Sequence, residues 1–140
     1  MHSKSTPIDL SKTPVHIPST AAAAGSFAAL DWFTFDGPSF GKYVTEMCNA
    51  DDPGRLVMIE TTAEDWPTWE RHTEGDELVI VITGSGVFHQ ELDGKVSSVP
   101  FAAGDTILNP KDVWHTADVA EPMQAVYITP CPGTENKPRG

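Results

Sequence analysis

The sequence predicts an all-β domain, either a sandwich or a barrel. Three observations carry this expectation. Short stretches of β-branched and aromatic residues recur at near-even spacing, as in antiparallel folds. Turn-forming residues punctuate them at Gly37-Pro38, Asp51-Asp52-Pro53-Gly54, Asp93-Gly94, Gly104-Asp105 and Asn109-Pro110. Leu78 to Ile82 is a continuous apolar run bounded by Gly84, the pattern of a buried strand. No internal repeat is visible.

Taken in order, residues 1–26 are rich in Ser, Thr, Pro and Ala and build no core of their own. Pro14 and Pro18 exclude a central strand but allow an edge strand or an extended arm, packed on the barrel or on a second subunit. Ala21 to Leu30 holds one or two helical turns at most, since Gly25 interrupts it. Phe27, Trp32, Phe33, Phe35 and Phe40 form an aromatic set suited to core or interface packing. Lys42 to Cys48 alternates weakly and reads as a strand, followed by a turn and a strand over Leu56 to Glu60. Ala63 to Trp69 leads into the Leu78–Ile82 strand region. Val87 to Leu92 and Lys95 to Val99 flank Asp93-Gly94, a pair that favours hairpin turns. Thr106 to Leu108 and Gln124 to Thr129 are the remaining strands. The expected layout is an arm (1–26), one barrel domain (27–133) and a loose polar tail (134–140).

The 140 residues suit one domain with a real core. The net charge of −11 argues against nucleic acid or an anionic membrane surface as partner. Only three arginines are present, Arg55, Arg71 and Arg139, so a phosphate-rich substrate is poorly provided for. No run is long enough to span a bilayer. Pro7, Pro14 and Pro18 break the amino-terminal stretch, and no signal peptide is expected. Cys48 and Cys131 fit no zinc spacing and read as two unpaired thiols in a reducing cytoplasm.

The chemistry concentrates in residues 66–84. Glu70 and His72 are two apart, so on an extended strand they share a face. Gly75-Asp76 supplies a turn, and Glu77 opens the returning strand. Strand, turn and strand bring Glu70, His72 and Glu77 around one point. His115 is the fourth candidate ligand, at the start of a strand after Asn109-Pro110. Two imidazoles and two carboxylates suit Fe(II), Mn(II), Ni(II) or Zn(II) better than Ca(II) or Cu(I). The alternative is that Glu70 is an ordinary strand glutamate beside an empty site; burying unpaired carboxylates in a barrel is costly, and a cation offsets that cost. By strand parity Trp66 joins the face of Glu70 and His72, while Trp69 and Arg71 point away. Gln90, on the face of Phe88 and Leu92, is a candidate pocket wall, and His89 faces outward. His2 and His16 have no ligand spacing around them.

These stretches resemble the cupin superfamily. Its first motif runs Gly, five residues, His-x-His, three or four residues, Glu, six residues, Gly; His72, Glu77 and Gly84 match it. Its second runs Gly, five residues, Pro-x-Gly, two residues, His, three residues, Asn; Gly104, Pro110 and His115 match it. The departures are Glu70 for the first histidine, Glu64 for the opening glycine, Asp112 for the internal glycine and Val119 for the asparagine. The resemblance covers roughly residues 55 to 130. It implies a double-stranded β-helix, or jelly roll, with an amino-terminal arm and one divalent transition metal per chain, held by Glu70, His72, Glu77 and His115 in the barrel mouth. It further implies a metal-dependent enzyme acting on a small oxygen-rich molecule, isomerase- or lyase-like or dioxygenase-like. The spare oxygen of a carboxylate at position 70 makes Glu70 a candidate for both ligand and general base, and strand parity puts Trp66 and Gln90 near the substrate. A non-catalytic ligand-binding cupin and a structural barrel with a vestigial site are the competing expectations. A homodimer is also expected, because the Val79–Ile82 run needs cover on both faces.

Overall fold

The computed structural model describes residues 6–18, 27–48 and 54–140. Its elements are β1 (Val15–Ile17), β2 (Ala28–Ala29), α1 (Gly37–Met47), β3 (Arg55–Thr62), β4 (Thr68–His72), β5 (Glu77–Leu92), β6 (Lys95–Ala102), β7 (Thr106–Asn109), β8 (His115–Pro130) and β9 (Thr134–Pro138). The fold is all-β and antiparallel, with one short helix among the described residues.

Two long strands organise it. The carboxy-terminal half of β8 pairs with β3 on one side and with the start of β5 on the other. Its amino-terminal half meets β4 at Glu70–His115 and the end of β5 at Gly86–Val119 through Gln90–His115. One wall of the barrel is therefore β2-β1-β3-β8-β5-β7, and the other is β9-β4-β8-β5-β6. β5 and β8 pass from one wall to the other, and the register slips between Val81 and Gly86, where the strand turns the corner. Gly84 sits in that corner at φ +97, and a Cβ there would meet the backbone of Pro122 and Met123. The two apolar stretches expected on either side of Gly84-Ser85-Gly86 are thus one bent strand.

The core lies between the walls and includes Leu56, Met58, Val79, Val81, Phe88, Phe101, Met123 and Tyr127. Alternation puts their neighbours outside. Val15, Val57, Ile128, Leu78 and Leu108 are successive cross-strand partners on the outer face, and Ile59, Val126 and Ile80 form a second such row. None of these eight is fully buried. The Asp93-Gly94 turn has φ of 53° and 77°, joining β5 to β6 as the hairpin rule requires.

Four expectations are corrected. Lys42 to Cys48 is not a strand but the larger part of α1 and its cap. Asp36 is the N-cap and accepts a hydrogen bond from Ser39 N at 2.8 Å, and Pro38 sits in the first turn, where its missing N–H costs nothing. Of the helical turns expected over Ala21 to Leu30, residues 19–26 lie outside the described residues, and Ala28–Ala29 is a strand. The polar tail from Thr134 is a strand: β9 pairs with β4 along its whole length, Thr68–Pro138 to His72–Thr134. Cys48 and Cys131 are not free thiols; the fold brings their Cα atoms to 5.5 Å and they form a disulfide, which removes the argument for a reducing compartment. No helix among the described residues is long and apolar enough to cross a membrane. The arm is docked where it is described: β1 adds to the edge of β3, and buried His16 is hydrogen-bonded through Nδ1 to the Tyr43 hydroxyl at 2.7 Å. The Asp51–Gly54 turn lies outside the described residues except for Gly54.

Candidate metal centre

Period-two alternation on β4 points Glu70 and His72 to the same side. Glu77 opens β5, opposite Asn109, and His115 opens β8, opposite Glu70. The four side chains meet between the walls. His72 Nε2 lies 3.2 Å from Glu77 Oε2, and His115 Nε2 lies 3.2 Å from Glu77 Oε1. Glu70 Oε2 is 4.0 Å from His115 Nε2. One donor atom each from Glu70, His72 and His115 falls within 4.8 Å of the others.

Orientation matters more than proximity. His72 Nε2 and His115 Nε2 are buried, and neither is aligned to form a hydrogen bond, although Glu77 is close to both. The far side of each ring is engaged. His115 Nδ1 donates to Val113 O at 3.3 Å, and His72 Nδ1 is hydrogen-bonded to Thr134 Oγ1 at 2.9 Å. Outer partners of this kind orient metal-ligating imidazoles and leave the inner nitrogen to a cation. Glu77 is also anchored from outside, accepting from Thr129 Oγ1 at 2.6 Å and from Asn109 Nδ2 at 3.2 Å. The donor set, two imidazoles and two carboxylates, fits a divalent transition metal.

The electrostatics divide the two carboxylates. Burial pushes Glu77 up, but the imidazoles of His115 and His72, each 3.2 Å from one of its oxygens, outweigh it and hold its carboxyl well below the usual range. Burial raises Glu70, and the neighbouring Glu77 raises it further. His115 is pushed down by burial and pulled up more strongly by Glu77, ending above an ordinary histidine. The Glu70 side chain is 35% exposed against 3% for Glu77.

The centre opens into a chamber of about 670 Å³. Trp66 lines it, with its ring edge-on to Phe88 at 5.8 Å and its Nε1 unpartnered. Gln90 is not among the lining residues. Its amide donates to Leu108 O at 2.8 Å and to Asn109 Oδ1 at 2.9 Å, and Asn109 in turn donates to Glu77, so Gln90 stands two hydrogen bonds behind Glu77. Trp69 and Arg71 point outward: Arg71 pairs with Glu135 at 2.6 Å and lies over Trp114. His89 also faces out, bonded to Ser98 and Asp118.

Several lining residues were not expected. Glu60 projects inward from β3, Tyr127 from β8, and Thr134 and Asn136 from β9, while Phe40, Tyr43 and Val44 of α1 form part of the wall. Glu60 had a signal, since it shares strand parity with buried Leu56 and Met58.

A bent antiparallel barrel enclosing two imidazoles and two carboxylates defines a candidate metal-binding barrel protein. Its all-β antiparallel architecture agrees with the barrel that the cupin-like motifs lead one to expect. No family model matches the sequence, and no curated protein does. Among solved structures, a variant of Streptomyces PAC13 with uridine is similar at a TM-score of 0.52 and 17% identity, over 61% of this chain and 70% of that one. A cupin protein from Bacteroides fragilis is similar at 0.48 and 20% identity, over 57% and 68%. A mutant of Bacillus subtilis oxalate decarboxylase is similar at 0.49 and 16% identity, over 61% of this chain and 24% of that one. At these identities the likeness concerns the fold alone.

Proposed function

We propose that this chain is a metal-dependent enzyme acting on a small oxygen-rich molecule, by isomerase- or lyase-like or dioxygenase-like chemistry. Glu70, His72, Glu77 and His115 hold one divalent transition metal, Fe, Mn, Ni or Zn. The observation that carries this is the pair of buried Nε2 atoms, each without a hydrogen bond and each 3.2 Å from a Glu77 oxygen, gathered beside two carboxylates. Unpaired buried polar atoms are rare in folded proteins and ask for a ligand. A divalent cation held there supplies Lewis acidity toward a substrate oxygen.

The protein's own residues divide the remaining work. Glu77, fully enclosed and anchored by Thr129 and Asn109, is the fixed ligand. Glu70, open to the chamber, takes a proton from a substrate hydroxyl or the adjacent carbon. Trp66 and the helix α1 exclude water from the chamber. The outer apolar rows of β1, β3, β8, β5 and β7 suit a homodimer of single-domain chains.

Elemental analysis of protein purified without a histidine tag or chelator tests the reading. One transition metal per chain is expected, and His72→Ala and His115→Ala are expected to lose it. Full occupancy in the His72→Ala protein would place the metal elsewhere. A wild-type protein that takes up no metal when offered Fe(II), Mn(II), Ni(II) and Zn(II) would leave the structural reading.

A further inference from the structure

The chamber has a second polar feature besides the candidate metal centre. Three buried donors in its wall have no partner: the Thr62 hydroxyl, Trp66 Nε1–H and the Tyr127 hydroxyl. Glu60 lines the same space, on the inward row of β3 with Met58 and Thr62. Among the described residues that line the chamber there is no lysine or arginine. A divalent cation would offset Glu70 and Glu77, and Glu60 would remain as surplus acid.

We propose that Glu60, Thr62, Trp66 and Tyr127 form a ligand-binding subsite that admits uncharged or cationic molecules with an apolar body and rejects anions. This rests on the chamber being the substrate site. The three donors satisfy acceptor oxygens on the ligand, and Glu60 accepts from a hydroxyl or an ammonium. Leu56, Met58 and Phe40 surround the rest of the molecule with apolar surface. An anion would gain no basic partner here and would face a carboxylate in a poorly solvated space, where like charges repel strongly. Burial, with Tyr127 further raised by Glu60, Glu77 and Glu70, keeps the phenol a neutral donor. Glu60 is held above the ordinary carboxylate range by burial and then by Glu70 and Glu77.

Isothermal titration with three probes that share one diol decides the matter: catechol (uncharged), protocatechuate (with a carboxylate) and dopamine (with an ammonium). Each is titrated into Zn(II)-loaded and metal-free protein. Dopamine and catechol are expected to bind, and protocatechuate to bind about tenfold more weakly or not at all. The same order is expected without metal, since Glu60 and the missing basic residues set it. Glu60→Gln is expected to shrink the gap between dopamine and protocatechuate severalfold with metal content unchanged. Protocatechuate binding as tightly as catechol overturns the proposal, as does no measurable binding of any probe to either form. The wild-type series decides even if the variant does not fold. Zn(II) uptake with the anion accepted overturns this proposal alone. The expected order in a protein that never takes up metal overturns the metal reading alone.

Discussion

At the residue scale the two glutamates of the centre stand in different surroundings. Glu77 is 3% exposed and held by Thr129, Asn109 and both imidazoles; Glu70 is 35% exposed and 4.0 Å from the nearer ring nitrogen. A carboxylate with one free oxygen and room to move suits proton transfer as well as ligation. Glu70→His is therefore expected to keep the metal and lose about a hundredfold or more in turnover, and Glu70→Gln to lose turnover with only moderate metal loss. Metal content is read by elemental analysis and turnover on a substrate found by screening. A Glu70→Ala protein with unchanged metal and unchanged rates would make Glu70 an ordinary strand residue. The cluster of Glu70, His72, Glu77 and His115 was legible because strand parity and motif spacing both act along the chain. Glu60 and Tyr127 belong to no motif and reach the chamber only through pairing of β3 with β8. Gln90 shows where parity stops: it names a face, but a long amide can reach across to a neighbouring strand, here to Leu108 O on β7.

At the scale of elements, turns were more legible than the pieces they join. Asp93-Gly94 and Gly104-Asp105 mark real reversals, because positive φ is a local demand that few residues meet. The helix α1 was missed because weak alternation over Lys42 to Cys48 was weighed above its cap, Asp36-Gly37-Pro38-Ser39. Strand β9 was missed because an edge strand half in water carries polar residues and little pattern. Two motif positions make a matched test. Gly84, at φ +97 with backbone of Pro122 and Met123 against it, has no room for a Cβ. Asp112 stands where the resembling family has glycine, and it too adopts positive φ, 64°, while its N–H donates to His72 O at 2.9 Å. Gly84→Ala is expected to cost about 2–4 kcal/mol, and Asp112→Gly to change stability by less than about 1 kcal/mol. Urea unfolding of both proteins checks this, and a wild-type midpoint for Gly84→Ala would contradict the corner geometry.

For the whole molecule, the sequence conveyed the antiparallel barrel but not how its two walls share strands. That β5 and β8 each serve both walls depends on bulges between Val81 and Gly86, and bulges leave no dependable mark in a sequence beyond the glycines. The same pairing lines up the apolar rows from Val15 to Leu108 on the outer face. Leu108 is 54% exposed there and Ile82 is 41% exposed. If two copies cover this face, light scattering should give a dimer for the wild type and a monomer for a Leu108→Lys, Ile80→Lys protein with unchanged circular dichroism. A wild-type monomer would leave the outer rows without a partner copy.

The bond between Cys48 and Cys131 joins the end of α1 to the short link between β8 and β9, three residues before Thr134, the residue behind His72. With its ends 83 positions apart in the sequence, closure should stabilise the fold by about 2–4 kcal/mol. A reductant, or Cys48→Ser, is expected to lower the unfolding midpoint accordingly; an unchanged midpoint would mean the tether is idle. Reduction would give a second chemical species of the same polypeptide, differing by two hydrogen atoms and by the loss of this link between α1 and the end of β8. Which of them is obtained depends on the oxidising power of the surroundings in which the chain folds. Protein of one sequence, made in an oxidising and in a reducing medium, is therefore expected to yield preparations that unfold at different midpoints.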